Sequence, residues 1–135
     1  MEKGFMEQGL MTAALFGDTK MVELFLEKGA DVNAKDEHGQ TALMHASAHG
    51  CSGTVKLLLE KGGNVNSENN YGATALIIAV QNGHTEIVQL LLEKGADANA
   101  ETNDGVTALI IAAQNGYTET IQLLLEKGAD VNAKD

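Results

Sequence analysis

His45 and His49 sit four residues apart and Cys51 follows two later. On a helix that spacing places both imidazoles on one face, and imidazole and thiolate are the donors of a transition-metal site. Such a site needs three or four converging ligands held by a second shell, and no carboxylate lies at helical spacing to complete this set. The same residues could form a thiol nucleophile with its base, giving a metal-dependent or cysteine-based enzyme as the alternative reading. Activation requires a lowered thiol pKa and an orienting third group in a pocket, whereas Cys51 falls in a short turn between two helices. The preferred expectation is therefore no enzyme: no catalytic residue, no metal ligand and no cofactor. The glycines fit no phosphate-binding loop, since the order Gly-x-x-x-x-Gly-Lys-Ser/Thr is absent.

The elements that would hold these side chains follow from self-comparison. Gly29-Ala30-Asp31-Val32-Asn33-Ala34 returns in related form, and the starts at 29, 62, 95 and 128 differ by 33 each time. Residues 74–101 and 107–134 agree at 22 of 28 positions, the pattern of a recent duplication. A fixed period of roughly 20 to 50 residues means stacked units that bury apolar surface only against their neighbours.

Within each unit the residues predict a helix, a tight turn, a second helix and a loop. Thr41, Thr74 and Thr107 offer a hydroxyl to the free amides of a first turn. Gly50, Gly83 and Gly116 stand where a left-handed residue ends that helix. The second helix starts at Ser52, Thr85 and Thr118 and runs to Lys61, Lys94 and Lys127, its cations at the negative end of the dipole. In the first unit the helices lie at 10–17 and 21–29, with no preceding loop, which makes four helix pairs. Helices of about nine residues are too short to persist alone, so packing must hold them. The polar, glycine-rich segments between units read as projecting hairpin-like turns, in which Asn33, Asn66, Asn99 and Asn132 are expected to bond their own backbone.

The 135 residues amount to one domain. Nineteen acids against nine cations give a net charge of −10, and every cation is Lys. Polyanions are bound by cations that displace counterions, so nucleic acid and anionic membranes are poor partners. No apolar run approaches the roughly 20 residues that span a bilayer. A single cysteine and no signal-like leader make a cytoplasmic, intracellular setting the expectation.

These features together resemble the ankyrin repeat. The resemblance rests on the period, the Gly-Ala-Asp-Val-Asn-Ala block and the Thr-x-Leu start at Thr41, Thr74 and Thr107, and it covers about residues 10–135. It implies an all-α solenoid of stacked helix-turn-helix units joined by β-hairpin-like loops, with units at about 1–28, 29–61, 62–94 and 95–127 and an incomplete one at 128–135. Two departures stand out. Ala42, Ala75 and Ala108 replace the family's usual Pro, and Met44, Ile77 and Ile110 its usual His. Both argue against the further alternative, an engineered or minimal scaffold without a natural partner, because a consensus design would have kept them. His84 stands where the family usually has a turn histidine, which implies a structural role.

The resemblance also implies a non-catalytic module, an adaptor, scaffold or inhibitor, that binds an unknown protein partner through the concave face of hairpin tips and first helices. Carried over, the contact positions are Leu15 and Phe16 in the first unit and Lys35, Glu37, His38, Gln40, Ala48 and His49 in the second. In the third they are Glu68, Asn70, Tyr71, Ala73, Gln81 and Asn82. In the fourth they are Glu101, Asn103, Asp104, Val106, Gln114 and Asn115. Tyr71 and Phe16 are the expected anchors, since aromatics dominate interface energetics; the competing role for Leu15 and Phe16 is to pack under a lid formed by Phe5 and Met6. An acidic, polar face suits a partner with basic or amide-rich contacts. The last unit is expected to expose Ile111, Ile121, Leu124 and Leu125, slightly softened by Thr120, and so to permit self-association.

Overall fold

The structure, a computed structural model, describes residues 3–131. Met1, Glu2 and residues 132–135, Asn132 among them, lie outside the described part. Eight helices follow in order among the described residues: α1 (Lys3–Leu15), α2 (Thr19–Glu27), α3 (Ala42–Ala48), α4 (Ser52–Glu60), α5 (Ala75–Gln81), α6 (Thr85–Glu93), α7 (Ala108–Asn115) and α8 (Thr118–Glu126). In the same residues there is no strand, only an isolated antiparallel bridge between Glu101 and Thr107. The expected all-α solenoid is the observed fold.

The helix starts form as their residue types require. Thr41, Thr74 and Thr107 are extended, and their Oγ1 atoms accept from the amides of Met44, Ile77 and Ile110 at 3.2–3.3 Å. Each first helix then ends on a left-handed glycine, as at Gly50 with φ 73°. Here glycine is needed twice over. Only glycine adopts that φ without cost, and a Cβ at Gly50 would lie 2.9 Å from the His84 ring.

Odd-numbered helices stack on one another, α1 on α3, α3 on α5 and α5 on α7, and each also packs on its own even-numbered partner. Leu58, Leu91 and Leu124 occupy equivalent places in successive units, and all are fully buried. Each contributes about 1.5–3 kcal/mol by leaving water. The core they join is a single aliphatic cluster running from Met6 to Ala129.

Four expectations are corrected. First, Ile111 and Leu124 are buried; of the four residues expected at the open end only Leu125 is exposed, with Ile121 half-buried. α7 and α8 pack on each other and on α5 and α6 of the unit before, which covers these two. Second, Thr120 is no surface residue. It is buried, with its hydroxyl 3.3 Å from that of Thr85 in the preceding unit, as Thr54 pairs with Thr19 at 3.2 Å.

Third, Asn33, Asn66 and Asn99 bond the next unit and not their own loop: each Oδ1 accepts from the amide of residue 64, 97 or 130, and each Nδ2 donates to the carbonyl of Gly62, Gly95 or Gly128. The local backbone bond falls instead to Asp31, Asn64 and Asp97, two residues earlier. Fourth, α1 begins well before residue 10, and its early turns replace the hairpin that the first unit lacks. Glu7 on α1 is buried, and its Oε2 accepts from the amide of Asp31 at 2.6 Å, the bond that Asn33 makes one unit later. Met6 turns inward, but Phe5 is exposed and Phe16 is 76% exposed, so no lid covers Phe16.

Candidate functional site

Each hairpin tip is tied by one short polar residue. Asp36 Oδ1 accepts from the amides of His38 and Gln40, Asn69 Oδ1 from those of Tyr71 and Ala73, and Thr102 Oγ1 from those of Asp104 and Val106. Neighbouring tips are then laced together. The Asn70 amide donates to the His38 carbonyl and that of Asn103 to Tyr71, both at 3.0 Å. The side chains of Asn70 and Asn103 donate in the same direction, to the carbonyls of Glu37 and Asn70. Lys35 Nζ reaches the Glu68 carbonyl at 2.7 Å. The tips are thus a preorganised edge whose shape does not depend on a partner.

Between that edge and the first helices runs a groove of about 540 Å³, lying along the third and fourth units. Ile77, Ile78 and Ile111 form an apolar floor, Ala73 and Val106 an apolar wall, and Gln40, Gln81 and Gln114 supply amides; Tyr71 and Asp104 stand at the rim. Tyr71 is 69% exposed. The structure therefore brings together seven of the expected contact positions: Gln40, Tyr71, Ala73, Gln81, Asp104, Val106 and Gln114.

Other expected positions are placed differently. Asn82 and Asn115 turn back to cap their own helices, donating to the carbonyls of Ile78 and Ile111, and His49 Nδ1 lies 3.0 Å from the His45 carbonyl in the same way. Glu37, His38, Glu68 and Glu101 lie along the tips, outside the groove. Ala48 is half-buried, its carbonyl 3.1 Å from His84 Nε2. Leu15 lines a separate, smaller depression beside Asp36 and His45. Phe16 faces a third one, on the outer side of the first unit, with Phe5, Met21 and Phe25.

The residues of the enzyme alternative do not converge on one centre. His45 Nε2 pairs with Asp36 Oδ2 at 3.1 Å, both side chains partly buried. Burial opposes ionisation of Asp36, but its hydrogen bonds from the Gln40 amide, from His45 and from the His38 amide outweigh that, and hold its carboxyl below the ordinary value. Cys51 Sγ lies against Gly17 and makes a polar contact with the carbonyl of His49, not its ring. No group of three His, Cys, Asp or Glu able to hold a metal exists among the described residues. No carboxylate stands at helical spacing from the histidines, but Asp36 arrives from the hairpin and meets His45.

Spacing reasoning missed the tip ties at Asp36, Asn69 and Thr102, although they stand at the same place in successive units and all carry a short acceptor. It also missed Glu7, which has no repeat equivalent to signal it.

Comparison with known families matches the chain to ankyrin repeats (3 copies) over residues 3–69 and again over 53–135. No curated protein matches it. Together the two stretches span the described helical pairs from α1 to α8, and the chain belongs to the ankyrin repeat family.

Proposed function

We propose that this chain is a non-catalytic adaptor, scaffold or inhibitor that grips a partner protein in the groove between hairpin tips and first helices. Ankyrin repeats are in general protein–protein interaction modules. The observation that carries the reading is the gathering of Tyr71, Gln81, Asp104, Val106 and Gln114 around one apolar floor on a rigid edge. Aromatic anchors beside an apolar pocket carry most of the energy of such contacts, and a standard complex would cover about 800 Å² of this side. The acids at Glu37, Glu68, Glu101 and Asp104 face one lysine, Lys35, on the tips, so the partner is one that brings basic or amide-rich groups, not nucleic acid. The continuous core favours one working unit over residues 1–135, and the single thiol suits an intracellular, cytoplasmic setting. No helix among the described residues is long and apolar enough to cross a membrane.

The test is capture of partner proteins by wild type beside the triple variant Tyr71→Ala, Gln81→Ala, Gln114→Ala, with Gln89→Ala on α6 as control. Partners lost with the triple variant and kept with the control support the groove. Equal recovery by all three proteins rejects it.

A further inference from the structure

Asp104 is the only charged side chain lining the groove, and its carboxylate has no hydrogen bond or ion pair among the described residues. Tyr71 and Asp104 hold the same place on successive tips, and both are exposed. The Asn103 amide donates to the Tyr71 carbonyl at 3.0 Å, which sets the two side by side at the rim. Lys35, the one lysine on the tips, belongs to the hairpin of the second unit and is tied to the Glu68 carbonyl. Beneath the rim the floor is recessed, since Ile77, Ile78 and Ile111 are each 7% exposed or less. A broad folded surface resting on the tips does not reach it, whereas one side chain of a narrow segment does. Three amides line the way down. Gln40 is fixed by the Asn69 side chain, which donates to its Oε1 at 2.6 Å and leaves the Gln40 N–H groups to donate. Gln81 and Gln114 are exposed and keep donor and acceptor unpaired among the described residues. Such amides match the N–H and C=O groups of an extended backbone, which needs partners for both.

Resting on the groove reading above, we infer that the bound part of the partner is an extended segment with one lysine or arginine beside one aliphatic residue, its cation seated between the Tyr71 ring and the Asp104 carboxylate. The cation lies over the face of Tyr71, where the ring quadrupole attracts it, and pairs with Asp104. The aliphatic residue drops onto the isoleucine floor, and the amides of Gln40, Gln81 and Gln114 bond the backbone of the segment. The occupant is cationic because Asp104 is uncompensated. The net charge of −10 and the acids Glu37, Glu68 and Glu101 along the tips also draw a basic segment to this edge and repel an acidic one. Salt weakens the contribution of the cation and leaves that of the floor.

The probe is a phage-displayed library of short random linear peptides, selected on the intact chain; the selected peptides are then synthesised and titrated by fluorescence anisotropy at low and high salt. They are expected to carry Lys or Arg beside an aliphatic residue and to bind more weakly in salt. Asp104→Asn is expected to weaken them about threefold and to flatten the salt dependence, and Tyr71→Leu to weaken them about threefold. Both side chains are exposed, so the variants keep the fold, with helical signal as the check. Neither substitution should matter to a peptide whose cation is replaced by Met, because the interaction is then already gone. Selection on Asp104→Lys is expected to turn to acidic peptides. Peptides that are lost with the triple variant Tyr71→Ala, Gln81→Ala, Gln114→Ala but show no enriched cation, or that ignore Asp104→Asn, overturn the cation seat and leave the groove standing. Peptides that bind the triple variant as well as wild type overturn both. Failure to select any groove-dependent peptide overturns the extended segment and leaves the groove to be judged by capture of whole partners.

Discussion

Asn66 holds the backbone of Asp97, one unit further on: its Oδ1 accepts the Asp97 amide at 2.7 Å while its Nδ2 donates to the carbonyl of Gly95 at 3.1 Å. Asn33 and Asn99 repeat the arrangement, so one side chain per unit clamps the loop where the following unit begins. The primary amide does both at once, because it carries an acceptor oxygen and a donor nitrogen side by side on one planar group.

Asn66→Ala removes two hydrogen bonds and is expected to cost about 1–3 kcal/mol in urea unfolding. Asn66→Asp keeps the acceptor and loses the donor, so about half that loss is expected. A variant as stable as wild type would show that the clamp adds nothing.

Glycine at 50 and at 116 answers different demands. Both have positive φ, but a Cβ at Gly50 meets the His84 ring while one at Gly116 meets nothing within 4 Å. Gly116→Ala is expected to cost about 1–2 kcal/mol, for φ alone. Gly50→Ala should cost measurably more by thermal or urea unfolding, and equal losses would mean that His84 moves aside freely.

Ser47 is fully buried on α3 with its hydroxyl unpartnered. In the register of the repeat its place is held by Ala14, Val80 and Ala113. A buried, unpaired polar atom carries a desolvation penalty of about 1–3 kcal/mol, so Ser47→Ala is expected to raise stability by about 1 kcal/mol. Calorimetry showing a lower melting temperature would overturn this.

The Asp36 carboxylate joins the hairpin of the second unit to α3 through His45. Because its folded pKa lies below the ordinary value of 3.8, its contribution is present above that value and is lost as pH falls through the folded pKa. Asp36→Asn retains an acceptor, as Asn69 does one unit later, but loses the charge. Wild type is expected to be the more stable by less than about 1 kcal/mol at about pH 6, with the gap closing below about pH 4. A gap that persists well below that pH would mean that charge is not what distinguishes the two.

What residue order alone determined was everything set within a few positions along the chain. Thr41, Thr74 and Thr107 cap the amide three residues on, Gly50 and Gly116 supply the φ that ends a helix, and Leu58, Leu91 and Leu124 fall in phase, so the units and their stacking were legible before any coordinates. The positions at Tyr71, Gln81, Val106 and Gln114 came only with the resemblance to the ankyrin repeat, carried over onto the same register. What only the tertiary structure decided were contacts that cross from one unit to the next: Asn66 to Asp97 across 31 residues, Glu7 to Asp31 across 24, Thr85 to Thr120 across 35. Whether such a side chain serves its own loop or its neighbour's depends on the offset between two packed helix pairs. That offset is set by how their buried faces mesh, a property of two surfaces together and of neither stretch of residues alone.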